Sequence, residues 1–176
     1  MKRFAVIVLL IVAICGLIFI FGGNAEGQTE KSAYLRVHIR ADSNDEQAQA
    51  VKYKVRDKVV EFLTPTIAEC ETKSEAIASV KSRLGEIEKV AESVLRANGF
   101  AYGAKASLRK ENFPTRVYEN VTLEAGVYDA LILELGSGSG DNWWCVVYPP
   151  LCFAGGKGNI VYKSKIAEII KNLFGS

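Results

Sequence analysis

The sequence predicts an α+β protein. It has a mostly antiparallel sheet, two long packed helices between the first strand and the remaining strands, and an N-terminal signal or transmembrane helix. Three observations lead there. An apolar run opens the chain, a stretch of period-two alternation is followed by two long amphipathic stripes, and from Ala104 onward the periodicity returns to that of strands. Helices grouped together and followed by grouped strands favour α+β over a doubly wound parallel sheet.

Phe4 to Phe21 is an uninterrupted apolar run behind Lys2-Arg3. As a helix its eighteen residues span about 27 Å at 1.5 Å per residue, close to a bilayer core of roughly 30 Å. Gly23-Asn24-Ala25 puts small residues where a signal peptidase reads, so residues 1–25 are either a signal peptide cleaved after Ala25 or a retained membrane anchor. In both cases the positive-inside rule holds Lys2-Arg3 in the cytoplasm and sends the remainder across. A small polar tether over residues 26–33 joins this segment to one globular domain at 34–176.

Leu35, Val37 and Ile39 alternate with Arg36, His38 and Arg40, the pattern of a half-buried strand. Ser43 with Glu46 makes a capping-box pattern and opens a helix whose stripe is Ala48, Val51, Val55, Val59 and Phe62, with Thr64-Pro65 as its expected stop. A second box, Thr72 with Glu75, opens a longer helix striped by Ile77, Val80, Leu84, Ile87, Ala91, Val94 and Leu95. Asn98-Gly99 closes it. Such stripes are core faces.

Strands are expected at Ala104 to Leu108, Thr115 to Leu123 and Val127 to Leu135, the last almost continuously apolar and so central. Gly136-Ser137-Gly138-Ser139-Gly140 reads as a flexible link making an antiparallel hairpin with the next strand. That strand carries both tryptophans and two of the four cysteines: Asn142-Trp143-Trp144-Cys145-Val146-Val147-Tyr148-Pro149-Pro150-Leu151-Cys152-Phe153. Gly155 to Gly158 loosens the chain, and Ile166, Ile169, Ile170 and Leu173 mark a short closing helix.

Charge narrows the function classes. The chain has 22 Lys+Arg and 20 Asp+Glu. Lys2 and Arg3 are the only charged residues before residue 26, so the exported part is neutral with interspersed signs. It offers no clustered basic footprint for nucleic acid. There is one histidine, His38, and no pairing of ligands with the spacing of structural zinc, so neither a metal nor another cofactor is expected. Nucleophile elbow, P-loop and dinucleotide fingerprints are also missing from the sequence.

Cys145 and Cys152 have three readings: a disulfide closed by chain reversal at Tyr148-Pro149-Pro150-Leu151, a nucleophilic thiol with His38 as base, or two inert buried thiols. The second would make the protein an exported thiol hydrolase or wall-modifying enzyme. Cys70 has no evident partner. Large aromatics beside polar groups are typical anchors of interfaces. Trp143, Trp144 and Asn142, with Arg116 beside the Pro114-constrained Phe113 and with His38 at the end of the first strand, are therefore the candidate partner-binding residues, and none is assigned a catalytic role.

Several strings together resemble one family. Leu35-Arg36-Val37-His38, Asp42-Ser43-Asn44-Asp45, Gln47-Ala48, Lys54-Val55-Arg56-Asp57, Phe113-Pro114-Thr115-Arg116 and, above all, Asn142 to Phe153 are similar to stage II sporulation protein R of endospore-forming bacteria. The resemblance spans roughly residues 34 to 153. It implies a non-enzymatic signal exported from the forespore into the space between forespore and mother cell, where it is secreted or stays membrane-anchored. The implied partner is a membrane-embedded aspartic protease of the mother cell that processes pro-sigma-E. Ile39-Arg40 takes the place of a more apolar pair.

Overall fold

The computed structural model describes residues 31–118 and 121–151. The expectations for residues 1–25, for most of the tether, for Cys152, for Gly155 to Gly158 and for the closing helix lie outside the described residues. The chain divides into two units, Met1–Ser32 and Ala33–Ser176. Of the first only Lys31 and Ser32 are described, both helical. Everything below concerns the second.

Its elements are β1 (Leu35–Arg40), α1 (Glu46–Ala68), α2 (Lys73–Ser82), α3 (Leu84–Ala97), β2 (Ala104–Phe113), β3 (Arg116–Tyr118), β4 (Val121–Leu123), β5 (Gly126–Leu135) and β6 (Asn142–Tyr148). The class is α+β, but the main sheet is mixed and not mostly antiparallel. Its order is β2-β5-β1-β6, with β1 parallel to β5 and antiparallel to β6. β3 and β4 form a separate two-stranded antiparallel sheet in place of the single strand expected over 115–123.

The mixed order follows from where the Gly/Ser loop goes. β5 and β6 are not a hairpin, because β1 lies between them. The loop crosses the end of β1 and clasps the turn after it. Ser137 donates its backbone N–H to Asp42 Oδ1 at 2.6 Å and its hydroxyl to the Asp42 carbonyl at 2.7 Å; Asp141 N–H donates to Asn44 Oδ1 at 2.6 Å, and Gly140 N–H to the Ala41 carbonyl at 2.8 Å. At Gly136, φ is +57° and an added Cβ would lie 2.2 Å from Asp42 Oδ1; one at Gly140 would lie 2.2 Å from the Ser43 carbonyl oxygen. Glycine is needed at both for close approach, so this is a fitted contact and not a loose linker.

Between β1 and β2 there are three helices where two were expected. α1 starts one residue pair later than the Ser43–Glu46 box implies. Asp45 is the N-cap, its carboxylate accepting from Ala48 N–H at 2.8 Å. α1 also continues through Pro65, which faces solvent while Val59, Leu63 and Ile67 extend the buried stripe by one turn. Burying Leu63 and Ile67 contributes roughly 1.5–3 kcal/mol each, enough to offset an interior-proline cost of about 3 kcal/mol. The Thr72 cap forms as expected, its hydroxyl accepting from Glu75 N–H, while Glu75 Oε2 reaches back to Glu71 N–H. The long helix then breaks at Arg83, whose φ of −110° and ψ of 9° leave the α region between Ser82 and Gly85, both weak helix formers. Asn98-Gly99 ends α3 in a Schellman arrangement, with Gly99 at φ +84°, Phe100 N–H on the Leu95 carbonyl and Gly99 N–H on that of Arg96.

The sheet has two buried faces. Leu35, Val37 and Ile39 pack under the helices with Val51, Val55, Ile87 and Leu131. On the other face a smaller core gathers Tyr34, Phe113, Leu123, Tyr128, Ala130, Ile132 and Val146. β1 is thus buried on both faces, where its alternation had implied one.

Candidate functional site

The even-numbered residues of β1 all project from the face away from the helices. Register places Arg36 between Ala130 and Val146, His38 between Ile132 and Trp144, and Arg40 between Glu134 and Asn142. β2 adds Arg109 and Glu111 beyond β5, because Arg109 pairs with Ala130 and Glu111 with Tyr128. Arg116 and Tyr118 come from β3.

Four of the five residues singled out from the sequence meet here. His38 Nε2 donates to Asn142 Oδ1 at 2.8 Å, and its ring lies 5.4 Å from that of Trp144 and 5.9 Å from that of Phe113. The guanidinium of Arg116 lies over the Trp144 indole, 4.3 Å from its centroid. Asn142 is exposed and Trp144 and Arg116 are half-buried, so the group has an open side. Trp143 is not part of it. As the next residue along β6 it turns to the helix side, opposite Ile39, where Arg56 lies 5.5 Å from its ring.

The electrostatics of this face are divided. Arg40 reaches Glu111 at 2.7 Å and Glu134 at 3.1 Å, and Arg109 reaches the same two carboxylates at 3.2 and 3.3 Å. Two arginines and two glutamates thus neutralise one another beside His38. His38 itself is buried, and that burial pushes its pKa below the usual histidine value. The Asn142 hydrogen bond opposes the shift, Arg40 reinforces it and Glu111 opposes it. Nδ1 has no hydrogen-bond partner and stands 4.0 Å from Glu111 Oε1.

Sequence reasoning missed Arg36, Glu111 and Tyr118. Arg36 is completely buried, its guanidinium 4.1 Å from the Phe113 centroid and 4.8 Å from that of Tyr128, with Nη2 donating to the Tyr118 hydroxyl at 2.7 Å. The available signal was the alternation itself, which put Arg36 on one face with His38 and Arg40. Nothing in the local pattern showed that β3 and β4 would cover that face.

Cys145 is buried and disulfide-bonded; Cys70 is a buried free thiol. Cys145 stands opposite Val37 in the helix-side core, whereas His38 is on the other face, so these two do not form a thiol–imidazole dyad. Among the described residues no group of His, Cys, Asp or Glu could hold a metal ion, and no helix is long and apolar enough to cross a membrane.

Comparison with known proteins adds the family context. Residues 31–157 match the family model described as stage II sporulation protein R (spore_II_R). The chain is also 36% identical over 119 residues to the stage II sporulation protein R of Bacillus subtilis (strain 168), covering 68% of this chain and 53% of that protein. It therefore spans about half the length of that relative. No solved structure matches the chain.

Proposed function

The chain belongs to the stage II sporulation protein R family, and from that membership we propose that this sporulation protein is a signal exported from the forespore. On this reading it docks on a membrane-embedded aspartic protease of the mother cell and triggers processing of pro-sigma-E. It acts as a ligand and not as an enzyme, and its docking surface is the open side of the sheet face formed by His38, Asn142, Trp144 and Arg116. One observation carries the choice of surface: Trp144 is half-buried and held by two neighbours, the His38 ring 5.4 Å from its own and the Arg116 guanidinium 4.3 Å from its centroid. A preorganised aromatic anchor flanked by arginine is the composition of an interface hot spot.

A ligand activates a receptor only through higher affinity for its active state, and a rigid anchor supplies that difference at small entropic cost. The test is reconstituted pro-sigma-E processing with the protease in membranes and the exported protein added from outside. Trp144→Ala should abolish activation while the variant stays folded. Full activation by a folded Trp144→Ala protein would remove this face from the docking surface.

A further inference from the structure

Two arginines on this face have aromatic partners but no carboxylate. Arg40 and Arg109 are satisfied by Glu111 and Glu134, whereas among the described residues no ion pair involves Arg36 or Arg116. Arg116 has only the Thr115 carbonyl at 3.3 Å and the Trp144 ring. Arg36 has Tyr118 and three ring faces, and its Nε and Nη1 are buried without a hydrogen-bond partner. Tyr118 links the two: its hydroxyl accepts from Arg36 Nη2 at 2.7 Å, and it lies two positions along β3 from Arg116, on the same face of that strand.

A buried guanidinium stays charged, and leaving donors unsatisfied costs free energy that cation–π contacts only partly offset. Its planar fork matches a carboxylate held bidentately. We propose that Arg36 and Arg116, both neighbours of Tyr118, form a carboxylate-recognition site that takes an acidic side chain from an extended peptide segment of the partner. The carboxylate enters past the half-buried Tyr118 and displaces its hydroxyl from Arg36 Nη2, while Arg116 keeps its ring contact and donates its remaining N–H groups to the second oxygen. An acidic peptide is the occupant because the face's own two glutamates are already engaged, which leaves the surplus positive charge at Arg36 and Arg116 alone. The inference deepens the docking reading and rests on it only for the partner's identity.

The experiment follows the side-chain Nε–Hε resonances of Arg36 and Arg116 in the full-length, arginine-15N-labelled chain at fixed ionic strength. The probes are acetyl-Val-Glu-Val-amide, the matching Gln peptide and N-acetylglutamate. The Glu peptide should shift both resonances with one saturable curve and the Gln peptide neither. Arg116→Ala should weaken the Glu peptide about tenfold or more, the loss expected for a charge-assisted hydrogen bond. Tyr118→Phe, which removes the competing hydroxyl and keeps the ring, should tighten it.

Equal response to Glu and Gln peptides, or a shift at Arg116 with none at Arg36, overturns the site. N-acetylglutamate binding as tightly as the Glu peptide overturns the peptide as occupant. Because no protease is present, failure here leaves the docking reading standing. Normal titration combined with undiminished pro-sigma-E processing by Arg116→Ala would instead overturn the docking reading.

Discussion

Arg116 lies 4.3 Å over the ring of Trp144, so a half-buried aromatic of the polar sheet face is held by a cation from a neighbouring strand pair. Trp143, one residue earlier, sits on the opposite face beside Arg56. The two tryptophans should therefore separate in experiment. Trp144→Ala is expected to lose about 2 kcal/mol or more of partner binding, the scale of an interface hot spot, beyond the stability it loses where the ring packs on the smaller core. Trp143→Ala removes an aromatic packed against the helix-side core and should cost stability first. Chemical denaturation alongside the processing assay checks both.

Arg36 offers a test in which stability and function move apart. Arg36 is buried with two donors unsatisfied and no ionic partner among the described residues, so an apolar replacement removes that desolvation cost and strands no counter-charge. Arg36→Met is expected to unfold at the same denaturant concentration as the parent or a higher one, and to lose activation of processing. A marked loss of stability would mean that Arg36 is retained for packing against Phe113, Tyr118 and Tyr128.

His38 sets a pH dependence. Its pKa in the folded protein lies below the ordinary 6.5, because burial disfavours the charged ring. The unfolded chain then binds a proton before the folded one does. The stability associated with neutral His38 is fully present above 6.5 and declines as pH falls from there through the lower folded value. His38→Gln should flatten the stability profile over that window. Urea unfolding at a series of pH values between about 7 and 5 measures the slope.

The glycines divide by what surrounds them. A Cβ at Gly140 would lie 2.2 Å from the Ser43 carbonyl oxygen, so Gly140→Ala must displace backbone and should cost about 2 kcal/mol or more. A Cβ at Gly85, within α3, would meet nothing within 4 Å, and Gly85→Ala should stabilise by about 0.5 kcal/mol. Thermal melts of the two variants should shift in opposite directions.

Thiol chemistry supplies a further check. Cys145 is disulfide-bonded and should react with a thiol reagent only after reduction. Cys70 is free, but burial raises its thiol pKa, and its Sγ donates to the Thr66 carbonyl at 3.3 Å. It should label slowly in the folded protein and quickly once urea is added. Mass spectrometry of labelled peptides distinguishes the two cysteines.

The elements with local causes were legible in the sequence. The Thr72 cap, the Asn98-Gly99 stop and the apolar stripes of α1 and α3 each follow from residues within a few positions of one another. What escaped depends on distant partners. The place of β1 between β5 and β6 is settled by the loop's grip on Asp42 and Asn44, which no local pattern encodes. The continuation past Pro65 reflects tertiary burial of Ile67, and the break at Arg83 a sum of weak preferences. At the candidate site, aromatic density and a lone histidine marked four residues that do come together. The separation of Trp143 from Trp144 follows from strand alternation once the register with β1 is known. Arg36 and Glu111 drew no attention because their surroundings are built by β2, β5 and the β3–β4 pair.

The innermost position of the first strand has a consequence for how such a molecule is made. His38 meets Asn142 across 104 residues of chain, and β1 gains neither neighbour until β5 and β6 exist. During synthesis the early part of the domain can coil into helices but cannot close its sheet. It stays threadable until almost its last described residue has been delivered. Under the export proposed above, which would carry the chain through a narrow translocation pore, late closure keeps the passenger unfolded without help from a separate holding factor.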